Sequence, residues 1–330
     1  MNKLKSLGRV TGASGVTNFF GDGWWYHLYL RFIGLLFWGM TFTAKTTTLL
    51  PRKGNMPLGP DGITPTERFP KCVHITPKMW WHGIVLNAVG LSGPGAQKLF
   101  DRGLWQEMRG PIILSFMSVA GTKEERLAEL REFVRILRHE RIHFKAKEIV
   151  LQINYSCPNT GHKLVELAGE VAEGLDCIWQ AGAGVLAMLK FNVGMPVEKA
   201  FAISNHPACA GICISNTIPF GTILPQEWWE KHFGTDDASK SPLAEFGGGG
   251  LSGKPLLPLV EQWVRDARKA GVKCHINAGG GILGPIGAAR LFIAGADSVF
   301  LGSIAMLRPW MVLPTIWLGK LAGWLFARGE

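Results

Sequence analysis

The chain has 330 residues and a formal net charge of +10, with 35 lysine and arginine residues against 25 aspartate and glutamate residues. Apolar residues make up 47% of the chain and charged residues only 18%, a balance that excludes a disordered chain. The six cysteines are scattered and include no CxxC pair, so we expect neither a metal site nor a secreted disulfide framework. A reducing compartment, the cytoplasm, is the expectation.

Short apolar runs alternate with helical patterns along the chain. The runs are rich in Val, Ile and Leu and do not alternate with polar residues, which is typical of parallel strands buried on both faces. Eight strand–helix units predict one α/β domain over residues 1–330, a TIM (β/α)8 barrel with long loops at its active face. The candidate strands are Thr41–Ala44, Ile84–Asn87, Pro111–Phe116, Glu148–Ile153, Val185–Phe191, Gly211–Ser215, Lys273–Asn277 and Asp297–Leu301.

The fourth candidate strand leads into the sequence Asn154-Tyr-Ser-Cys157-Pro-Asn159. Catalytic side chains of a barrel come from the carboxyl ends of its strands. A cysteine can abstract a proton when it is partly thiolate, and an asparagine can hold a planar amide or imide by paired hydrogen bonds. The alternative interpretation is a polar strand end with a buried cysteine.

Other candidate strands also end in polar or cationic side chains. Lys45 follows the first strand, Asn87 ends the second, and Lys190 lies in the fifth. The sixth strand ends in Ser215-Asn216-Thr217. Two lysines beside amides at one end of a barrel favour a site for an anionic or electron-accepting ring.

Glycine-rich loops follow the last two candidate strands. Gly279-Gly280-Gly281 comes after the seventh strand, and Gly302-Ser303 comes after the eighth. Phosphate sites of this fold are built from these two loops, and glycine lets backbone amides approach an oxyanion closely. The two loops together predict a phosphate site.

In their order and joint presence, these segments resemble the dihydroorotate dehydrogenase family over nearly the whole chain. The resemblance implies an FMN-containing TIM barrel that oxidises dihydroorotate to orotate in pyrimidine (UMP) biosynthesis. A cysteine at position 157, where other members have a serine, implies the cysteine-base class. The segments that carry the resemblance are Thr43–Asn55, Asn87–Leu91, Asn154–Asn159, Lys190, Ser215–Thr217, Gly247–Gly253, Gly279–Gly281 and Gly302–Ser303.

The resemblance also implies roles for individual residues. Cys157 would remove the C5 proton of dihydroorotate while the C6 hydride passes to the flavin, and Lys45 would stabilise negative charge on the reduced ring. The substrate-binding residues would be Lys45, Asn87, Gly90, Leu91, Asn154, Asn159, Asn216 and Thr217. The flavin-binding residues would be Gly23, Lys45, Thr46, Asn154, Lys190, Ser215, Gly250, Gly280, Gly281, Gly302 and Ser303.

One loop departs from the family pattern. Gly21-Asp22-Gly23 stands where the family usually has Ala-Ser-Gly, which leaves the flavin contact of the first loop open.

The electron acceptor is predicted from a second feature, two apolar stretches at 24–40 and 314–327. The family passes electrons to fumarate, to NAD through an iron–sulfur partner, or to a membrane quinone, and Cys157 alone favours a soluble acceptor. Both stretches are predicted helices, apolar almost all round, and the chain has no acidic residue from 23 to 60 or from 298 to 329. As neighbours they would form a basic-rimmed apolar surface, which favours docking to the inner face of the cytoplasmic membrane and a quinone acceptor. A homodimer interface is the alternative use of this surface.

Two other functions fit part of the sequence. A transfer-RNA dihydrouridine synthase is also an FMN barrel with Asn-x-x-Cys-Pro, and the positive charge would suit RNA. Asn159 and the segment Thr43–Asn55 favour the dehydrogenase, so no nucleic-acid partner is expected. A flavin-binding scaffold without activity would require lost catalytic residues, yet Lys45 and Cys157 are present.

Overall fold

The computed structural model describes residues 3–33, 36–155, 164–182 and 184–326, and the predicted site residues Cys157 and Asn159 lie outside them. The strands within these ranges are β1 (Val10–Gly12), β2 (Phe42–Thr43), β3 (Val73–His74), β4 (Ile84–Asn87), β5 (Ile112–Phe116), β6 (Ile149–Asn154), β7 (Leu186–Phe191), β8 (Cys209–Ile214), β9 (Ile218–Pro219), β10 (Gly250–Gly253), β11 (His275–Gly279) and β12 (Ser298–Leu301). The helices are α1 (Trp25–Leu30), α2 (Pro77–His82), α3 (Ala96–Phe100), α4 (Lys123–Glu140), α5 (Leu164–Ala181), α6 (Val197–Ser204), α7 (Gln226–Phe233), α8 (Leu256–Lys269), α9 (Pro285–Ala294), α10 (Ile304–Leu307) and α11 (Val312–Phe326).

Eight parallel strands form the predicted barrel. Their order is β1-β12-β11-β8-β7-β6-β5-β2. The first and last strands of this order also join each other, because Gly12 N–H donates to the Thr41 carbonyl at 2.9 Å and Thr41 N–H donates to the Val10 carbonyl at 2.9 Å. The sheet therefore closes on itself, and the TIM barrel is confirmed.

The prediction was wrong for one barrel strand. Ile84–Asn87 is β4 of a separate antiparallel sheet, here called the lid sheet, with the order β3-β4-β10-β9. Its residues Ile84, Val85 and Leu86 are all buried, so the run has the same apolar pattern as a barrel strand. The barrel strand that the sequence did not reveal is β1, which has only three residues, Val10–Gly12.

The interior of the barrel is filled at its amino-terminal end. A short 3-10 turn near the start of the chain inserts Leu4 and Leu7, both fully buried, against Ile113, Val150 and Met188 from three barrel strands. Apolar side chains thus close the amino-terminal end of the barrel, and the space for a ligand lies at the carboxyl ends of the strands.

The stretch 24–40 is not the single helix that was predicted. Helix α1 ends at Leu30, a 3-10 turn covers Arg31–Ile33, and Gly39 has a left-handed φ of +79° that a helix does not accommodate. A Cβ at Gly39 would lie 2.5 Å from Nζ of Lys320 in α11, so the end of this stretch packs on the last helix. Helix α11 itself matches the predicted helix at 314–327 closely.

Candidate active site

A cavity of about 760 Å³ lies at the carboxyl ends of the barrel strands, between the barrel and the lid sheet. This volume is at the upper end of the usual range for ligand pockets, about 300–1,000 Å³. Among the described residues that line it, Glu67 is the only acidic one, against Lys45, Arg68 and Lys190. The excess of positive charge suits an anionic ligand.

Most of the predicted site residues meet at this cavity. The lining includes the predicted Lys45, Thr46, Asn87, Gly90, Leu91, Asn154, Lys190, Ser215, Asn216, Thr217, Gly280, Gly281, Gly302 and Ser303. These residues come from distant parts of the sequence, and they meet because the parallel strands end at the same side of the barrel.

Two predicted flavin-binding residues do not line the cavity. Gly250 lies in the lid sheet, paired with Asn87 and with Pro219, and the neighbouring Ser252 and Gly253 line the cavity instead. Gly23 lies in the turn before α1, where a Cβ would come within 2.4 Å of Nδ1 of His27.

The first loop of the barrel supplies a wall that sequence reasoning missed. Ala13, Ser14 and Gly15 directly follow β1 and line the cavity. The Ser14 and Thr46 hydroxyls lie 2.7 Å apart, and the Thr46 hydroxyl lies 2.9 Å from that of Ser115, which ties the loop to the strands beside it. The Ala-Ser-Gly of the family pattern is thus at 13–15 rather than replaced at 21–23. The sequence signal for this wall was the Ala-Ser-Gly triplet itself. It was missed because the three-residue strand before it was not recognised as a strand.

Amide side chains reach the cavity from opposite sides. Asn216 Nδ2 donates to Oδ1 of Asn154 at 3.2 Å on the barrel side, and the strand partner of Asn154 is Lys190. Asn87 reaches the cavity from the end of β4 in the lid sheet. Since each amide offers both a donor and an acceptor, this arrangement can hold a flat polar ring on two edges.

Lys45 is a buried cation beside this amide group. Its ammonium donates to the carbonyl oxygen of Ser92 and lies 4.5 Å from the centre of the Phe19 ring. Removal from water lowers the pKa of Lys45 to about 7, because a buried charge loses its hydration. The Cys72 thiol nearby is also buried, and burial raises its pKa to about 11, so it stays neutral beside Lys45. An anionic ligand would supply the missing counter-charge.

The chain around Gly90 is held in an unusual backbone conformation. Gly90 and Leu91 both have left-handed φ angles, +71° and +62°, and a positive φ is uncommon for leucine. The Gly90 carbonyl accepts a hydrogen bond from Nε of Arg52 at 3.0 Å, and Asn55 packs against Gly90. The surrounding contacts therefore fix this turn at the edge of the cavity.

Bare backbone forms one part of the cavity wall, here called the glycine cradle: Gly253, Gly280, Gly281 and Gly302. A Cβ at Gly281 would lie 2.7 Å from the Leu257 nitrogen and 2.8 Å from the Gly253 oxygen, so no side chain fits there. Gly280 and Gly281 also have φ angles of +114° and +80°. Backbone amides without side chains are typical of phosphate sites, and the phosphate site at the last two barrel strands stays a prediction.

A second part of the cavity wall is an aromatic arm, formed by Trp24, Trp25, Tyr26 and Leu30 around α1 with Phe69 and Pro70. Trp24 Nε1 donates to the Gly15 carbonyl at 2.9 Å, which joins the arm to the first loop. Phe69 is 82% exposed, so the arm opens at the surface. Burial raises the pKa of the Tyr26 hydroxyl. The sequence placed this stretch in an outer helix and did not predict a role in the cavity.

Comparisons with known proteins agree on one family. The family model described as dihydroorotate dehydrogenase matches residues 40–319. A dihydroorotate dehydrogenase A (fumarate) of Lactiplantibacillus plantarum is 30% identical over 229 residues, 66% of this chain and 66% of the relative. A dihydroorotate dehydrogenase B (NAD(+)) catalytic subunit of Bacillus thuringiensis is 31% identical over 295 residues, 87% of this chain and 81% of the relative.

Solved structures share the fold. The Eimeria tenella dihydroorotate dehydrogenase in complex with ferulenol has a TM-score of 0.61 at 19% identity, covering 96% of this chain and 83% of that chain. Its ligand-free form has a TM-score of 0.64 at 17% identity, covering 95% of this chain and 86% of that chain.

Proposed function

The chain belongs to the dihydroorotate dehydrogenase family, oxidoreductases of pyrimidine synthesis, and we propose that it oxidises dihydroorotate to orotate with bound FMN and Cys157 as the base. The observation that carries the proposal is the cavity at the carboxyl end of the barrel. It combines a buried lysine, a group of amides and a cradle of bare backbone, the three features that this reaction requires for charge, substrate and phosphate.

The residues present fit FMN. A Cβ at Gly281 would collide with the protein backbone at Leu257 and Gly253, so this position stays without a side chain and its backbone amide would be available to a phosphate. FMN, when bound, supplies the acceptor for the substrate hydride. Its ribityl and phosphate groups would be held by Gly280, Gly281, Gly302 and Ser303, and its ring side by Ser14, Thr46, Lys190 and Ser215.

The substrate would lie between the lid sheet and the barrel. Asn87, Asn154 and Asn216 would bond the edges of its ring, with Thr217 and the turn at Gly90 and Leu91 beside them. Asn159 is assigned to the substrate-binding residues from the sequence motif alone. Lys45, buried with a lowered pKa, would become fully charged opposite the substrate carboxylate and would stabilise negative charge on the ring that receives the hydride.

Cys157 is assigned as the base from its place three residues after Asn154, at the end of β6. A general base must lie within hydrogen-bond reach of the proton that it removes, and a cysteine does so as thiolate. Asn154, which ends β6, accepts a hydrogen bond from Asn216, which follows β8, so the assigned base comes directly after a strand end that takes part in the group of candidate substrate amides.

We further propose a quinone as the electron acceptor. The aromatic arm supports this proposal, because apolar side chains line the route from the cavity to the surface and would bind a flat apolar molecule better than a charged one. The alternative acceptors are fumarate and, through a partner subunit, NAD, which appear in the names of the relatives. A quinone dissolved in lipid is reached from a membrane surface. The proposed acceptor therefore implies that the protein lies peripherally at the inner face of the cytoplasmic membrane.

Anaerobic mixing of the yellow protein with dihydroorotate tests the reaction. We expect the flavin absorption to bleach, and a protein that keeps its colour would contradict the proposed activity. The reduced protein is then mixed in parallel with a short-chain quinone, fumarate and NAD. If the flavin colour recovers fastest with the quinone, the proposed acceptor is supported. If it recovers only with fumarate or NAD, the quinone is excluded as acceptor, but the proposed oxidation of dihydroorotate still stands.

A further inference from the structure

One side of the barrel carries an unusual concentration of exposed apolar side chains, here called the apolar flank. It lies on α9 and α11, which pack side by side, and on the stretch that ends at Gly39. In α11 the exposed fraction is 60% for Trp317 and 76% for Trp324. The members of the apolar flank are Trp38, Ile286, Ile293, Trp317, Leu318, Leu321, Trp324, Leu325 and Phe326.

Helix α11 has an ordinary inner face and an outer face without the usual charges. Gly319 and Gly323 lie on the inner face, where a Cβ would come within 3.3 Å of Val10 and 2.9 Å of Phe292. This close approach fixes the helix on the barrel. Lys320 is the only charged residue of α11, whereas an outer helix of a barrel normally presents a polar face to water. An exposed apolar patch of this kind marks an interaction site.

The charges around the apolar flank indicate the partner. From Ser298 to Phe326 the chain has no acidic residue, but it has Arg308 and Lys320. In a symmetric dimer through this surface, no carboxylate from these segments of the other copy would be available to balance the positive charge. An anionic lipid surface provides the opposite charge, and tryptophan side chains favour the boundary between headgroups and acyl chains.

The position of the apolar flank relative to the cavity is consistent with a lipid-dissolved reactant. Met306 in α10 lines the cavity, and Arg308 and Trp310 directly follow it on the way to α11. The Arg308 guanidinium lies 4.5 Å from the centre of the Trp80 ring and 5.9 Å from that of Trp310. The cation and the two indoles therefore form one amphipathic cluster beside the turn that joins α10 to α11.

We propose that the apolar flank docks the protein to an anionic bilayer surface. No helix among the described residues has the length and apolar character to cross a bilayer, so the docking is peripheral. The indoles of Trp317 and Trp324 enter the headgroup region, and the exposed Lys320 binds a lipid phosphate. The relevance of this docking to the quinone rests on the proposed function, but the docking itself does not.

Vesicle flotation tests the proposal. The holoprotein is mixed with vesicles of phosphatidylcholine, or of phosphatidylcholine with phosphatidylglycerol, and is centrifuged through a density gradient. We expect it to float with the anionic vesicles, less at high salt. The double variant W317S/W324S should partition about tenfold less, because it removes two interfacial anchors. The control is W179S, which removes an indole that is 59% exposed on α5, a helix that packs against α4 and α6 instead.

Each outcome decides the proposal. It is overturned if the wild-type protein stays at the bottom of the gradient with both vesicles, or if W317S/W324S floats as well as W179S. A wild-type dimer that W317S/W324S makes monomeric in light scattering, without flotation, would assign the flank to a second copy. Equal thermal midpoints of the variants show that both are folded, and bleaching by dihydroorotate in solution shows independently whether the proposed reaction holds.

Discussion

Two parts of the cavity lining, the glycine cradle and the aromatic arm, are built in opposite ways. The glycine cradle presents bare backbone, and at Gly281 a single methyl group would collide with Leu257 and Gly253. The aromatic arm has large side chains, few polar atoms and an opening beside the exposed Phe69. A ligand in the cradle would thus be bound by fixed geometry, whereas one in the arm would be bound by apolar contact. We expect substitutions near the cradle and the amides to affect flavin and substrate strongly, and substitutions in the arm to affect the acceptor only.

The largest effect is expected at the base. Cys157→Ala should slow flavin reduction by dihydroorotate by about 10²–10⁴-fold, the usual contribution of general base catalysis. The wild-type rate should rise with pH toward the ordinary thiol pKa of about 8.5, because the thiolate is the active form. Stopped-flow absorbance under anaerobic conditions measures both, with Cys177→Ala as the control thiol. A Cys157→Ala protein that is reduced at the wild-type rate would remove this residue from the mechanism.

The next largest effect is expected at the glycine cradle. Gly281→Ala should weaken FMN binding by about ten- to a hundredfold, since the new methyl group overpacks against backbone, at a cost of about 1–3 kcal/mol. The matched control is Gly247→Ala, whose φ of +79° imposes the same strain but whose Cβ meets nothing within 4 Å. Flavin fluorescence titration of the apoprotein gives both affinities. Equal loss in the two variants would show that backbone strain, rather than the shape of the cradle, is responsible.

A moderate effect is expected from Lys45. Its pKa of about 7 means that it is charged below pH 7 and neutral above, so orotate affinity should fall as pH rises through 7. Lys45→Met should bind orotate about tenfold more weakly at pH 6, the loss of one charged hydrogen bond, and should lose the pH dependence between 6 and 8. Titration of the oxidised protein with orotate measures this. A wild-type affinity that is constant over that range would contradict the lowered pKa.

Lys45 also has a predictable influence on stability without ligand. Its pKa is near 7 when folded and near 10.4 in the unfolded chain, so between these values the unfolded state binds more protons. The free energy of unfolding therefore rises from pH 7 toward pH 10 by this group, and below pH 7 the burial of its charge destabilises the fold fully. Lys45→Met should accordingly raise the thermal midpoint of the apoprotein most at pH 6.

The smallest effect is expected in the aromatic arm. Trp25→Ala should raise the KM for a short-chain quinone about three- to tenfold, since part of an apolar contact is lost, and should leave flavin reduction by dihydroorotate unchanged. Steady-state kinetics with quinone and anaerobic reduction of the same protein separate the two steps. Slower reduction of the flavin by dihydroorotate in Trp25→Ala would show that the aromatic arm and the flavin and substrate sites are not independent.

The sequence predicted the barrel side of the site better than the segments that cover it. Asn154, Lys190 and Asn216 were found because long apolar runs end at them, and parallel strands align their ends. Ile84–Asn87 was assigned to the barrel because burial on both faces gives the same apolar run in the lid sheet. The local sequence of a three-residue strand such as Val10–Gly12 has too little periodicity to be recognised. The loop Ala13–Gly15 and the aromatic arm depend on that strand, so they were missed with it.

Strand β10 connects the substrate side of the cavity to the glycine cradle within four residues. At Gly250 it pairs with Asn87, which covers the other candidate substrate amides. At Gly253 its carbonyl oxygen lies against Gly281 in the glycine cradle. Because β10 has only four residues, a change at Gly253 is transmitted to Gly250. Binding of the FMN phosphate at the glycine cradle would therefore make the lid sheet more rigid before the substrate binds, and the lid sheet would be most mobile in the protein without FMN.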